Sequence, residues 1–325
     1  MPAPHLTIAV ASSAVFDLGA ADAIFRSEGR EAYRAYQREH EAEILAPGIA
    51  FPFVRRLLTV NRSDTSHPLV EVVLISRNDP DTGVRVRNAL DHHGLAISRT
   101  VFTGGRPPWR YIDSFEASLF LSGNREDITE AIALGYPAGL VMPGLVADDG
   151  DEELRLGFDF DGVLADDAGE RFFKEQGLAR FHANERANAA LPLSPGPLQR
   201  LLTQVAAVQA AERARQAADP THKPLIRTAI ITARSAPADR RVIASLRGWG
   251  ITVDEAFFIG DLPKNKVLSA FRPHLFFDDK PENARLAAET APSVHVPFGV
   301  TNDVKGREVQ KSGRPESEQS PGTSH

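Results

Sequence analysis

No cysteine occurs in the 325 residues. Disulfides, thiolate metal sites and cysteine nucleophiles are excluded together. A basic excess is also missing: 37 Lys and Arg stand against 43 Asp and Glu, a formal net charge of −6. The electrostatic footprint for polymeric nucleic acid or an anionic membrane surface is therefore lacking. No apolar run approaches the ~18–20 residues that span a bilayer. The opening MPAPHLTIAV has neither a basic n-region nor a long h-region, so it does not read as a signal peptide. A cytoplasmic protein without a membrane partner is expected. The GxxxxGK[ST] phosphate loop, the HExxH zinc helix and the GxSxG elbow are absent as well.

What is present is the balance of a globular chain, 42% hydrophobic and 25% charged, long enough for two domains. Short apolar runs recur at Leu6–Val10, Val70–Ile75, Ser118–Leu121, Leu154–Phe158, Thr228–Ile231 and His274–Phe277. Helical spacing lies between them, at Val84–Leu90, Asp127–Leu134, Arg240–Leu246 and Asn283–Ala288. Continuous apolar strands alternating with amphipathic helices predict an α/β fold around a buried, mostly parallel sheet. Residues 17–60 and 165–222, rich in Ala, Glu, Arg and Gln, read as helices, each with a Pro-Gly break at Pro47-Gly48 and Pro195-Gly196. The acidic stretch 146–153 reads as a solvated linker. Residues 302–325 are polar and aperiodic and read as a disordered tail. His92-His93 reads as helix surface rather than a metal site.

The two halves of the chain resemble each other. Val101–Asn124 aligns without gaps on Phe257–Lys280, with Phe102, Gly104, Pro107, Phe115, Leu119 and Phe120 meeting identical residues. At that same shift Ser76 meets Thr232. Upstream a smaller shift places Gly29 on Gly177, Tyr33 on Phe181, and Ile8–Phe16 on Leu156–Leu164. Eight extra residues in the second copy, near Ala210–Lys223, account for the change. A tandem duplication is the reading.

Only the second copy carries chemistry. Asp159 meets Ala11, Asp161 meets Ser13, Lys264 meets Pro108, and Asp278 and Asp279 meet Ser122 and Gly123. Four acids and a lysine at the ends of expected strands are not core-forming choices, and open α/β sheets gather their sites at the carboxyl ends of strands. FDFDGVL (Phe158–Leu164), the strand ending at Thr232, Lys264 and FFDD (Phe276–Asp279) resemble, in order, the four motifs of the haloacid-dehalogenase-like phosphatases. ISRNDPDTG (Ile75–Gly83), FTGG (Phe102–Gly105), TARSAPADRRVI (Thr232–Ile243), RPHLFFDD (Arg272–Asp279) and HVPFG (His295–Gly299) are similar to the cytosolic 5′-nucleotidase type I family. The resemblance covers nearly all of residues 6–300.

That resemblance implies a Rossmann-like fold with a parallel sheet and a helical cap insertion, tandemly duplicated with a degenerate N-terminal copy. Residues 1–145 would form the degenerate half, 146–153 the linker, and 154–301 the catalytic half with its cap at about 165–222. It implies Mg²⁺-dependent hydrolysis of nucleoside 5′-monophosphates, with polymeric nucleic acid excluded as partner and a homo-oligomer compatible. Asp159 would be the nucleophile and Asp161 the acid and base. Thr232 and Lys264 would bind the phosphoryl group. Asp159, the backbone carbonyl of Asp161, and Asp278 or Asp279 would hold the metal. Phe173, Phe181, His182 and Arg234 are candidates to contact substrate, although Phe172, Phe173, Phe181 and His182 also suit the cap's own core. The first half is expected to be inert, either a scaffold or, through Ser76 and Arg77, a degenerate phosphate pocket. Two alternatives stand beside the nucleotidase: a phosphatase of another small phosphoester, and a nucleotide-binding regulator with little turnover.

Overall fold

The computed structural model describes residues 6–146 and 148–302. Apart from Asn302, the expected tail lies outside them. The chain begins β1 (Leu6–Val10), α1 (Ser12–Val15), α2 (Gly19–Glu28), α3 (Arg30–Glu39), α4 (Phe51–Thr59), β2 (Val70–Ser76), α5 (Gly83–His92), β3 (Arg99–Phe102), β4 (Leu119–Ser122), α6 (Arg125–Ala133) and β5 (Ala138–Val141). It continues β6 (Leu154–Phe158), α7 (Ala168–Ala187), α8 (Gln199–Ala218), β7 (Ile226–Thr232), α9 (Asp239–Gly248), β8 (Glu255–Phe258), α10 (Lys264–Phe271), β9 (Leu275–Asp278), α11 (Pro281–Ala288) and β10 (Ser293–His295). The strands form one ten-stranded sheet in the order β3-β2-β1-β4-β5-β10-β9-β6-β7-β8. β5 and β10 pair antiparallel at its middle; the other pairings are parallel. The mixed α/β architecture is therefore the expected one.

Side chains of a strand alternate between faces, and both faces of this sheet are covered. Leu6, Ile8 and Val10 of β1 join one apolar cluster with Val70, Val72 and Leu74 of β2. Ala9, Val73 and Ile75 point the other way. The same alternation puts Leu275 and Phe277 of β9 on the first face and Phe276 on the second. Strands buried on both sides must be apolar throughout, which is why they read as unbroken runs. α4 and α8 close the seam between the halves, where Phe53, Leu57, Leu201 and Val205 meet Ile8 and Phe277. Each such side chain, fully buried, contributes roughly 1.5–3 kcal/mol.

The two halves of the sheet run in corresponding order, β3-β2-β1-β4-β5 against β8-β7-β6-β9-β10. A helical element breaks at the same place in each. Gly29, at φ 84°, separates α2 from α3, and Gly177, at φ 75°, kinks α7. Only glycine takes these left-handed angles without strain.

Residues 148–152 of the acidic connection are exposed, and their acids also pair with neighbouring arginines. Asp149 lies against the Arg155 guanidinium, 2.8 Å from Arg56 and 3.2 Å from Arg272. His274 approaches it at 3.5 Å. Arg56 is itself 2% exposed, so its charge needs these acids. Burial, with Arg56 and Arg155 adding repulsion, pushes the His274 imidazole down to about 4. The fold therefore binds the neutral ring, while the unfolded chain takes a proton near pH 6.5. Stability from this group is complete above about pH 6.5 and is lost as pH falls towards 4. His274→Asn should flatten that part of the melting profile by up to about 2 kcal/mol, measured as Tm against pH beside the parent chain.

His93 also departs from expectation. His92 is exposed, but His93 packs against Phe16 and Phe51 with ring centroids 6.0 and 5.0 Å away. Its Nε2 sits 2.9 Å from the Leu45 carbonyl.

Candidate active site

Three strand ends and one helix start build the site. β6 stops at Phe158, and the Asp159 amide makes a last sheet bond to Phe277 O at 2.8 Å. The chain then turns sharply, with Leu164 N and Ala165 N both donating to Phe160 O at 2.9 Å. Gly162 makes this turn at φ 72°, and a β-carbon there would stand 2.6 Å from the Asp279 carboxylate. Glycine is thus required twice over, for the angle and for the approach. The neighbouring strand β9 ends in Asp278, followed by Asp279. α10 begins at Lys264, directly after Pro263.

This topology brings Asp159, Asp278 and Asp279 together, each buried, with carboxylate oxygens within 4.8 Å of one another. Such a cluster could hold a metal ion. Lys264 Nζ lies 2.6 Å from Asp159 Oδ2 and 2.6 Å from Asp278 Oδ2. Lys266, the other lysine of that helix start, is exposed. Asp159 Oδ1 accepts from the Phe160 amide at 2.7 Å. Asp278 Oδ1 accepts from the Lys280 amide at 2.9 Å and from Asn283 Nδ2 at 3.3 Å. Asp279 Oδ2 accepts from Thr301 Oγ1 at 2.8 Å, while its buried Oδ1 has no partner among the described residues.

The electrostatics follow from that packing. Burial raises Asp159 to about 6, with Asp278 and Asp161 adding to the rise and Lys264 opposing it. Burial raises Asp279 to about 8, reinforced by Asp159 and Asp278. Burial alone would lower Lys264, but the paired carboxylates outweigh it and hold it raised. A buried acid with an unpartnered oxygen and two acidic neighbours calls for a cation.

Without metal, the folded chain holds protons on Asp279 that the unfolded chain releases near pH 4. This contribution to stability is present at low pH and disappears as pH rises through about 8. Asp279→Asn should therefore raise the Tm in EDTA at pH 8 by about 3 °C, from about 1–2 kcal/mol. Mg²⁺ should raise the Tm of the parent chain but not of the variant. A lower Tm in EDTA would contradict the charge account.

Asp161 stands apart from the three-acid cluster. Both its oxygens accept from Arg234, Oδ2 from Nε and Oδ1 from Nη2, each at 2.7 Å. Arg234 also reaches Glu185 Oε2 at 2.5 Å, and Arg241 reaches Glu185 Oε1 at 2.9 Å. Arg234 lies over the rings of Phe160 and Phe181 at 5.6 and 5.5 Å. The sequence reading offered Arg234 as a substrate contact; the structure engages it with Asp161 and Glu185. Glu185, fully buried, went unnoticed in the sequence, as did Thr301 and Asn283. Thr232 is buried at the end of β7, its Oγ1 accepting from the Arg234 amide at 3.3 Å.

The cap aromatics do not form a core of their own, contrary to one expectation. Phe173 is 41% exposed and meets Phe181 edge to face at 5.9 Å. His182 lies beside Phe181, 6.0 Å away. Through Arg234, Phe181 is tied to the acid loop.

Comparison with known proteins agrees with this geometry. The 5′-nucleotidase family profile matches residues 2–303. Cytosolic 5′-nucleotidase 1B of Homo sapiens is 38% identical over 287 residues, covering 86% of this chain and 46% of its own. The chain thus spans about half the length of that relative. Among solved structures, histidinol dehydrogenase from Elizabethkingia anophelis is 9% identical, covering 90% of this chain and 53% of its own, with a TM-score of 0.23; so low a score carries no argument. No helix among the described residues is long and apolar enough to cross a membrane. The chain belongs to the 5′-nucleotidase family.

Proposed function

We propose that the chain is a Mg²⁺-dependent cytoplasmic phosphatase that releases phosphate from nucleoside 5′-monophosphates. The observation that carries this reading is the meeting of Asp159, Asp278 and Asp279 at adjoining strand ends with Lys264 at the start of α10. Family membership supports the substrate class.

The donor set fits a hard cation. Three carboxylates and no nitrogen or sulfur ligand favour Mg²⁺ over zinc. Asp159 and Asp279 would hold it directly, with the Asp161 carbonyl. Asp279 is preferred to Asp278 because its Oδ1 is free, whereas both Asp278 oxygens are taken by Lys264, Lys280 and Asn283. When bound, the ion supplies charge neutralisation between carboxylate and phosphate.

Asp159 then attacks phosphorus and displaces the nucleoside 5′-oxygen, leaving an aspartyl-phosphate. Asp161 protonates the departing oxygen and afterwards takes a proton from the water that cleaves the intermediate. Each Asp161 oxygen uses one lone pair on Arg234 and keeps another for this exchange. Lys264 and Thr232 steady the phosphoryl oxygens. α7 and α8 would act as the cap, bringing Phe173, Phe181 and His182 towards the nucleoside.

The halves, residues 1–145 and 154–301 of a haloacid-dehalogenase-like fold, would descend from one duplicated unit. Matching strand orders and the shared glycine breaks support this.

A screen of ribo- and deoxyribonucleoside monophosphates against sugar phosphates, with Mg²⁺ or EDTA, tests the function. Phosphate release from nucleotides, lost in EDTA, is expected. A higher kcat/KM for sugar phosphates would favour the small-phosphoester alternative. Nucleotide binding without release would favour the regulator.

A further inference from the structure

The N-terminal half contains a cavity of about 600 Å³, within the size range of small-ligand sites. It opens at the carboxyl ends of β1, β2 and β4, the counterparts of the strand ends that carry Asp159, Thr232 and Asp278. Close packing is the norm in protein interiors, so a half serving only as scaffold would be expected to fill this space.

At the positions aligned with the acid site, this half carries uncharged residues. Where the second half joins Asp161, Arg234 and Glu185 in an ionic chain, the aligned positions here hold Ser13, Asn78 and Gln37. Where it has Asp159, Asp278 and Asp279, this half has Ala11, Ser122 and Gly123. Among the described residues no group of three metal-competent side chains lies here, and the position of Asp159 is taken by Ala11. Buried hydroxyls stand in their place. Ser12 Oγ and Ser76 Oγ lie 2.8 Å apart and line the cavity. Two hydroxyls share one hydrogen bond between them, so one proton is left to donate elsewhere.

Four arginines and four acids line the cavity, so its formal charge is balanced, and what matters is which arginines are left unpaired. Arg26, Arg30 and Arg34 line it from α2 and α3. Asp79 is shared between Arg34 at 3.2 Å and Arg30 at 3.8 Å. Asp127 is taken up by both Nε and Nη2 of Arg77, which removes Arg77 from the anion-binding role its sequence suggested. Asp22 is raised by burial, against the pull of Arg26. Glu126 is an exposed acid of the lining.

One feature of the other half is kept rather than lost. Phe25 and Tyr33 meet edge to face at 5.8 Å and 85°, as their counterparts Phe173 and Phe181 do at 5.9 Å and 79°. A hydrogen-bond chain pins Tyr33 from behind. Arg85 donates to Gln37 at 2.9 Å, Gln37 to the Tyr33 hydroxyl at 2.9 Å, and Tyr33 to Asn78 at 3.1 Å. Phe25 nevertheless remains 52% exposed, a surface suited to a flat ring.

We propose that this cavity is a second, non-catalytic nucleotide site that binds without metal, its arginines and serine hydroxyls taking the phosphate and Phe25 and Tyr33 taking the base. The proposal goes beyond the catalytic reading and does not depend on it.

Calorimetric titration of the Asp159→Asn chain in EDTA tests it, with AMP, ribose 5-phosphate and inorganic phosphate as probes. Without metal, the carboxylates of the other half repel phosphate, so only this cavity should bind. One equivalent of AMP is expected, held more tightly than ribose 5-phosphate. Arg26→Ala with Arg30→Ala, both on solvent-facing helices, should weaken AMP at least about tenfold. Ser13→Asp, which restores an acid to the cavity, should abolish binding while a thermal melt shows the chain folded. No AMP binding up to ~10 mM, a limit set by the weakest useful affinities, would overturn the proposal. So would AMP binding indifferent to all three substitutions. Equal affinity for ribose 5-phosphate would overturn the aromatic part of the site.

Discussion

Asp159→Asn should reduce phosphate release from nucleoside monophosphates by at least about 10³-fold, with the fold intact. The change exchanges one oxygen for nitrogen in a buried pocket of fixed shape. An Asn oxygen can still accept from the Phe160 amide, which now donates to Oδ1 at 2.7 Å. What is lost is the anionic nucleophile. The variant also removes one of the three buried carboxylates that crowd one another at the site, so its melting temperature in EDTA should not fall. Circular dichroism and melting, measured beside turnover, separate the two consequences. A variant that kept near-parental turnover would mean that Asp159 does not attack phosphorus.

Lys264→Met should lower both activity and stability. The ammonium is held 2.6 Å from two buried carboxylates. Removing it leaves Asp159 and Asp278 facing each other without their common counter-charge. Breaking a buried pair in this way typically costs about 3–5 kcal/mol, and protonation of Asp159, already raised to about 6, will offset part of it near neutral pH. We expect a net loss of about 2 kcal/mol, growing as pH rises and the proton leaves Asp159. kcat/KM should fall by about 10²–10³, the scale for removing one charge-stabilising donor. Lys266→Met, on the same helix but exposed, should change neither. Equal effects from both substitutions would show that Lys264 contributes only general charge.

Much of this was legible because of how the sheet is built. β1 and β6 are buried on both faces and read directly as apolar runs. β3, β5, β8 and β10 did not announce themselves. β3 and β8 are edge strands, RTVF and EAFF, whose side chains are mostly half-exposed, so burial imposes no apolar pattern on them. β5 and β10 have four and three residues, too short for any period to show.

The site divides in the same way. Asp159, Asp278 and Asp279 were visible because charged residues at the ends of apolar strands break the rule that cores are apolar; Lys264, at the start of α10 rather than at a strand end, was visible through the order of the motifs. Glu185 was not. It lies in a helix rich in charged residues, and only the three-dimensional packing of Arg234 and Arg241 around it sets it apart from the exposed Glu175 of α7. Thr301 lies beyond the last strand, where sequence offers no cue that its hydroxyl returns to Asp279. Tyr33 was already aligned with Phe181, but Phe25 went unremarked until its edge-to-face geometry with Tyr33 matched that of Phe173 and Phe181.

The central claim is that Asp159 accepts the phosphoryl group beside one divalent ion shared with Asp279. A crystal structure grown with Mg²⁺ and beryllium fluoride, a mimic of a phosphorylated carboxylate, tests it most directly. The account predicts beryllium bonded to an Asp159 carboxylate oxygen, one Mg²⁺ ligated by Asp159 and Asp279, and Lys264 against the fluorides. Beryllium fluoride on another side chain, or Mg²⁺ bound away from Asp159 and Asp279, would contradict it.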